Sequence, residues 1–462
     1  MDNMRKLFSF SFFIVGISLF LSCEEEASSS ETEVDDTDPC LIEPVYTSFQ
    51  AQIDASSDGD TIIIDPGTYE GTVNFNGKNI VLGSQFLTTG DTSYIRTTII
   101  NAKQKGSVVR FENNETNGAA LVGLTLTGGY AVEGAGIYIN GASPTLSHLL
   151  ITGNKAYSCE VGDYFKAASG GGIYMEGGNP ALSKVMVSQN SSEAEGGGIY
   201  MSSADPSMDL VTVRNNTAST LGGGIYFGNS GPSLSRVVVE YNEAVDGGGL
   251  YLSAFSSPSL VNTVVGNNTA SNEGGGIYLN NAQTDLVNVT VAADSAGTNG
   301  GSMFMKGGTV KTRNSILWSK GPQEVWFSTG GASSMITIYY TDVAGGLEGI
   351  ETNSNGTVDW REGNINEGPH VGGNYCLESP QWAVGTWYWG SPAIDKGDPS
   401  SQYNDEENLW CLHVWAYISS QNWPEGHVVM VPDTTTARND MGAFGGPNGS
   451  WGIKHATPGS EW

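Results

Sequence analysis

The chain has 462 residues, 63 of them glycine, with 39% hydrophobic and 15% charged residues and a formal net charge of −29. Abundant glycine without a Gly-X-Y period excludes collagen and fits a turn-dense β protein. The 20 Lys+Arg set against 49 Asp+Glu form no basic stripe, so no nucleic-acid partner is expected, and the acidic balance reads as a solvated exterior.

Residues 1–22 read as an export signal. Arg5 and Lys6 precede the apolar run Leu7 to Leu21, which is short for a membrane span, and Ser22 is a small residue at the cleavage point. The ending resembles a bacterial lipobox, with Phe20 where Leu is usual and Cys23 as the lipid acceptor. That resemblance implies a diacylglyceryl thioether on Cys23 and contact with the membrane through this lipid only. The following "CEEE" is similar to the acidic signal that sends some Gram-negative lipoproteins to the outer face of the outer membrane. A flexible acidic spacer would read the same way. Within residues 23–42, the stretch Glu24 to Asp38 holds eight acidic residues and no basic one, the composition of a disordered tether.

The solenoid expected over residues 43–318 begins with an amphipathic stretch, Phe49 to Ala55. A helix there would cover the open edge of a first coil. A turn at Asp58–Asp60 and a strand at Thr61–Ile64 follow, then strands at Asn79–Leu82, Thr97–Ile100, Val108–Phe111 and Leu121–Leu126.

From here the chain repeats. Aromatic residues recur at Tyr138, Tyr174, Tyr200, Tyr226, Tyr251, Tyr278 and Phe304. Asn154, Asn190, Asn216, Asn242, Asn268 and Asp294 are spaced by 36 and then four times by 26, a period of 26 with one ten-residue insertion. The copy starting at Gly222 has short β-rich runs at Ile225–Phe227 and Val237–Val239, with Pro232 between them and no helical period.

Such strands are too short to stand alone, but stacked copies bury a continuous core. Equal spacing would place Ile173, Ile199, Ile225, Leu250 and Ile277 in one interior column and turn Asn154, Asn190, Asn216, Asn242 and Asn268 into a hydrogen-bonded ladder. The glycine triplets before each Ile–Tyr pair would form corners with no room for a Cβ. A leucine-rich repeat fits the L-x-x-L-x-L-x-x-N spacing, but small polar residues and glycines follow each Asn where that repeat needs apolar periodicity. The expected fold is all-β: a single-stranded parallel β-helix of about 26 residues per coil, an N-terminal capping helix, a C-terminal β/loop cap over 319–450 and a tail over 451–462.

With "DGDTIIIDPGTY" leading into these coils, the chain resembles the right-handed parallel β-helix superfamily of pectate-lyase-like proteins. The segments "NSILW", "ITIYYTDVAGG", "EGNINEGPHV", "GSPAIDKGDP" and "ARNDMGAFGG" resemble the choice-of-anchor Q domain. The GGG-I and V-x-x-N units (Val187–Asn190, Val213–Asn216, Val239–Asn242) are similar to repeats of polymorphic outer-membrane adhesins.

Active members of the superfamily use acid-held calcium with an Arg or Lys base, or a pair of carboxylates flanking the scissile bond. The sequence has no N-x-D followed by paired Asp, no G-H-G and no R-I-K, so catalytic residues stay unassigned. His148, His370, His413, His427 and His455 do not cluster at metal-ligand spacings. Candidate bases are Lys155, Lys184, Arg214 and Arg236. Lys184 and Arg236 share one repeat position and would form a basic face. Glu133, Glu195, Asp246 and Glu273 precede glycine triplets and are the acids calcium would take, though all these charges read equally as solvated turns. No other cofactor is indicated.

The insertion "AYSCEVGDYFKAAS", Ala156 to Ser169, gathers Tyr157, Glu160, Asp163, Tyr164, Phe165 and Lys166. It reads either as a sugar-binding loop or as a decorated corner pinned by Cys159. All 11 tryptophans lie at or after Trp318, as cap core or as sugar-stacking surface. Cys40, Cys159, Cys376 and Cys411 allow three pairings. Their shared C-terminal location favours Cys376–Cys411, and nothing in the sequence decides Cys40–Cys159. The reading that best fits near-identical coils is a monomeric, surface-exposed lipoprotein that binds polysaccharide or cell-surface glycan without catalysis, as an adhesin would. The alternative is an extracellular polysaccharide lyase or glycoside hydrolase.

Overall fold

The computed structural model describes Cys40 and residues 42–161, 164–321 and 323–369, with Gly397 and strand segments at Gln381–Ala383, Thr386–Tyr388, Trp410–His413 and Val428–Val431. They belong to a compact unit running from Pro39 to Trp462. Cys23, most of the acidic tether, Asp163, Cys376 and the tail lie outside the described residues.

Three interior columns set the architecture. Ile173, Ile199, Ile225, Leu250 and Ile277 pair in parallel register from coil to coil. So do Leu182, Met208, Leu234, Leu260 and Leu286, and likewise Val187, Val213, Val239, Val265 and Val291. All are buried in one continuous core. Neighbouring strand residues alternate between core and exterior, so a 26-residue shift returns each side chain to its column. Each buried aliphatic side chain stabilises the stack by about 1.5–3 kcal/mol relative to exposure.

Each regular coil turns at four left-handed positions, for example Gly222, Asn229, Arg236 and Tyr241, with φ of 65°, 49°, 54° and 54°. Only the first is glycine in every coil, and it opens the triplet. A Cβ on Gly196 would sit 2.7 Å from the Ile199 carbonyl oxygen. The second and third glycines are required by proximity instead: a Cβ on Gly197 would meet the Thr217 backbone at 2.5 Å, and one on Gly198 the Gly224 carbonyl at 2.6 Å.

The asparagine column is a ladder. Asn216 donates from its backbone N–H and from Nδ2 to Asn242 Oδ1, each at 3.0 Å, and Nδ2 also donates to the Val187 carbonyl at 3.0 Å. The same three bonds recur for Asn154, Asn190, Asn242 and Asn268. They satisfy groups that would otherwise be buried without partners.

The capping helix spans Gln50–Ala55 and buries Phe49 and Ile53 against the first coil. The Gln50 side chain both donates to the Asn74 carbonyl at 2.8 Å and accepts from the Asn74 N–H at 3.0 Å, which covers part of that coil's edge.

Several boundaries differ from expectation. The strand expected at Asn79–Leu82 is Val81–Ser84, and the one expected across Leu121–Leu126 is two, Ala120–Val122 and Thr125–Thr127, divided where Gly123 turns left-handed at φ 72°. Two short helical turns, Phe86–Thr89 and Ser93–Thr97, leave too few residues for a readable period. Parallel stacking also runs beyond 318, into the segment read as cap. Val325 pairs with Met303, Ile336 with Val310, Ile350 with Val325, and Val358 with Ile336. These coils keep alternating apolar strands but lose the Asn and triple-glycine markers that make the earlier ones legible.

Candidate functional site: the aromatic column and the insertion hairpin

The residue after each interior Ile, Leu or Met points away from the core columns, and stacking leaves Tyr138, Tyr200 and Tyr226 partly exposed while Tyr174, Tyr251, Tyr278 and Phe304 are buried. Tyr138, Tyr174, Tyr200, Tyr226, Tyr251, Tyr278 and Phe304 therefore form a second column, outside the core columns, in parallel register. Their rings stack with centroids between 4.8 and 5.4 Å apart, as the spacing of parallel strands dictates. Interplanar angles stay at 5° or less from Tyr138 through Tyr251 and reach 28° only at Phe304. Beyond Phe304, Trp326 packs against the same aromatic cluster.

Burial raises all six phenols above their ordinary titration range, and neighbouring carboxylates add to it. For Tyr174 the carboxylates are Glu133 and Glu176, and for Tyr200 the first is Glu195. Tyr226 is pushed up to about 12, by burial and then by Glu195. The hydroxyls are therefore neutral donors and acceptors. Tyr174 donates to Glu176 Oε2 at 3.0 Å, while Tyr138 and Tyr251 accept from Asn140 and Asn280.

At one end of this column stands the insertion. Its strands Cys159–Val161 and Tyr164–Lys166 form an antiparallel hairpin. Lys166 Nζ lies 2.9 Å from Glu133 Oε2. The Tyr157 ring stacks on Tyr130 with centroids 4.3 Å apart, and its hydroxyl donates to the Cys40 carbonyl at 3.1 Å. Cys159 is disulfide-bonded to Cys40. The Ser158 N–H donates to Glu193, which also pairs with Lys155. Arg110 lies 4.2 Å over the Tyr138 ring and pairs with Glu112. Glu160 and Phe165 are exposed at the hairpin. Of Tyr164 the backbone strand is described, and Asp163 is not.

Residues 88–265 match the family model described as "Right handed beta helix region". The solenoid is a right-handed parallel β-helix. No curated protein matches the chain. Among solved structures, it is similar to the A-module of the mannuronan C-5 epimerase AlgE6 of Azotobacter vinelandii, at 15% identity over 70% of this chain and 94% of that one, with a TM-score of 0.37. It is similar to the pectate lyase Pel9A at 13% identity over 86% and 90%, with a TM-score of 0.39. It is also similar to the catalytic unit of a thermostable GH87 α-1,3-glucanase from Streptomyces thermodiastaticus strain HF3-3, at 12% identity over 76% and 69%, with a TM-score of 0.19.

On the β-helix the four acids occupy one corner. Backbone bridges link Glu133, Ser169, Glu195, Leu221 and Asp246 in successive coils, and Glu273 bridges to Asn299. All four are half-buried rather than freely solvated. Burial raises the Glu195 and Glu273 carboxyls, and Asp246 raises Glu273 further. Among the described residues no three His, Cys, Asp or Glu are placed to hold a metal ion.

Lys184 and Arg236 do share a column, but a different one, the left-handed corner that also holds His148, Leu210, Asn262, Asn288 and Asn314. Leu210 separates the two cations, and Asp209 engages Arg236 through two contacts of 2.8 and 2.5 Å. Lys184 is exposed and, after burial, helps hold the neighbouring His148 below the usual imidazole range. The insertion thus joins the acidic corner and the aromatic face rather than the basic one. The aromatic column was the sequence's own alignment marker. Each member sits between two interior residues and so lies outside the core columns.

Proposed function

We propose that this protein is a surface-exposed bacterial lipoprotein whose β-helix presents the insertion hairpin and the adjoining aromatic face to a polysaccharide or cell-surface glycan, and binds it without turnover. The observation that carries this reading is the unbroken stack from Tyr138 to Phe304 beside the insertion hairpin, whose Lys166 pairs with Glu133. Of this row Tyr138, Tyr200 and Tyr226 are partly exposed, and their neutral hydroxyls and ring edges suit hydrogen bonding and apolar contact with sugars. Attachment rests on the lipobox-like Cys23, and the choice-of-anchor Q and adhesin-like motifs are consistent with surface display.

One observation favours the alternative, an extracellular polysaccharide lyase or glycoside hydrolase. The half-buried Glu195 carboxyl, raised beside Tyr200 and Tyr226, has the character of a general acid. A glycan array separates the two when paired with assays for unsaturated product and new reducing ends. Retention on glycans without product supports a binding protein, whereas turnover abolished in E195Q supports the enzyme. For the anchor, C23A should move the protein from the membrane fraction to the soluble one.

A further inference from the structure

Cys40 is where the N-terminal segment reaches the described solenoid, and its disulfide partner Cys159 lies 119 residues further on, with the Cα atoms 5.6 Å apart. The junction is a built one. Cys40, Val132 and Cys159 are buried together, Tyr157 packs against them, and the Tyr157 hydroxyl reaches the Cys40 carbonyl. Between the two cysteines in sequence lie the capping helix and all the early coils.

The coil that receives the bond is an interior one. Lys155 and Ala156, just before Cys159, pair with Tyr130 and Ala131 on one side and with Ser191 and Ser192 on the other. The first coil has a solenoid neighbour on one side only. In a solenoid each repeat is held by its neighbours, so a pull on the terminal repeat peels it first.

We infer that the Cys40–Cys159 disulfide is a load bypass. Tension entering through the N-terminal segment is delivered to the insertion hairpin in mid-solenoid, and the capping helix and the coils between the two cysteines carry none of it. Load follows the covalent path, and here that path crosses two sulfur atoms instead of the intervening chain. The pulling point moves from an end repeat with one neighbour to an interior repeat with two. This holds whatever the N-terminal segment is attached to and does not depend on the glycan reading.

Single-molecule pulling tests it, on the full mature chain held by a tag ahead of Asp38 and a second tag at the C-terminus. The wild type is compared with the double variant C40S/C159S, both without reductant. The double variant should release about 400 Å more contour length, the 119-residue separation at roughly 3.3–3.6 Å per residue, and should begin to unravel at lower force. If the double variant does not fold, wild-type protein folded first and then treated with dithiothreitol takes its place, with the same expected gain. Equal contour length and equal first-rupture force with and without the bond would overturn the inference.

Discussion

Asp294 places its Oδ2 where Asn268, one coil earlier, places its amide nitrogen. Each lies 2.9 Å from the Cβ position of the third triplet glycine in its own coil, Gly276 and Gly249 respectively. The other carboxyl oxygen of Asp294 plays the ordinary ladder role and accepts from the Asn268 N–H at 2.7 Å and from Asn268 Nδ2 at 2.9 Å. The Oδ2 therefore occupies the place of an amide donor, 3.4 Å from the Ser319 hydroxyl, and a protonated carboxyl can fill it.

Complete burial, then the nearby Glu324, push Asp294 up to about 8, while its bonds from Asn268 and Ser319 pull the other way. Glu324, held by Ser302 and the Ser319 N–H, is itself pushed to about 7 by burial. The unfolded chain gives up the Asp294 proton near the ordinary value of 3.8 and the folded chain keeps it to about 8. In that window the folded state binds more protons, so the stability this group contributes is lost as pH rises towards about 8 and then levels off. Thermal melts from pH 4 to 9 should show D294N more stable than wild type at pH 8, with a flatter pH dependence. A less stable variant with unchanged slope would refute the proton at this position.

Glycine at the corner is a steric requirement and can be tested by contrast. G198A drives a Cβ to within 2.6 Å of the Gly224 carbonyl and should cost about 1–3 kcal/mol. Gly330 has open space around its Cβ position, and G330A should stay within about 0.5 kcal/mol of wild type. Chemical denaturation midpoints would rank the two.

Ladder and core should fail for different reasons. N216A strands the Asn190 N–H and Nδ2 donors that rely on Asn216 Oδ1, at about 1–3 kcal/mol for each buried group left unsatisfied. Ile225→Asp puts an unpaired charge into a fully buried column and should be worse, by several kcal/mol or loss of folding. Circular dichroism melts of both variants, beside a control substitution in the tether, give the order.

At the insertion, K166A removes the cation paired with Glu133 without touching the interior stack. An exposed or half-exposed pair contributes little to stability. The melting temperature should therefore hold while retention on an immobilised glycan falls. Retention unchanged in both K166A and Y200F would place binding elsewhere on the β-helix.

Much of this architecture was legible because a solenoid repeats its physics. Ile225 sits over Ile199, and Asn242 over Asn216, because neither coil gains or loses a residue between them. The shorter coil ending at Leu250 keeps the same register. Legibility faded where the markers changed. Val325–Phe327 and Ser334–Tyr339 continue the stack without Asn or triple glycine, and so read as cap. The site was legible in parts only. The residues of the hairpin stand out as an insertion in the repeat, but its contact with Glu133 depends on a loop path that no periodicity encodes. The disulfide joins residues 119 apart, a separation to which local pattern is blind. Lys184 and Arg236 occupy the same corner two coils apart, and that corner is separate from the insertion.

The most direct measurement is recovery of glycan from the complex. A polysaccharide retained by the full mature protein would be eluted after prolonged incubation, and its chain length and end groups read by mass spectrometry. A binding protein returns the polymer with its length and ends unchanged. Shortened chains or unsaturated ends, absent when E195Q is used, would contradict it.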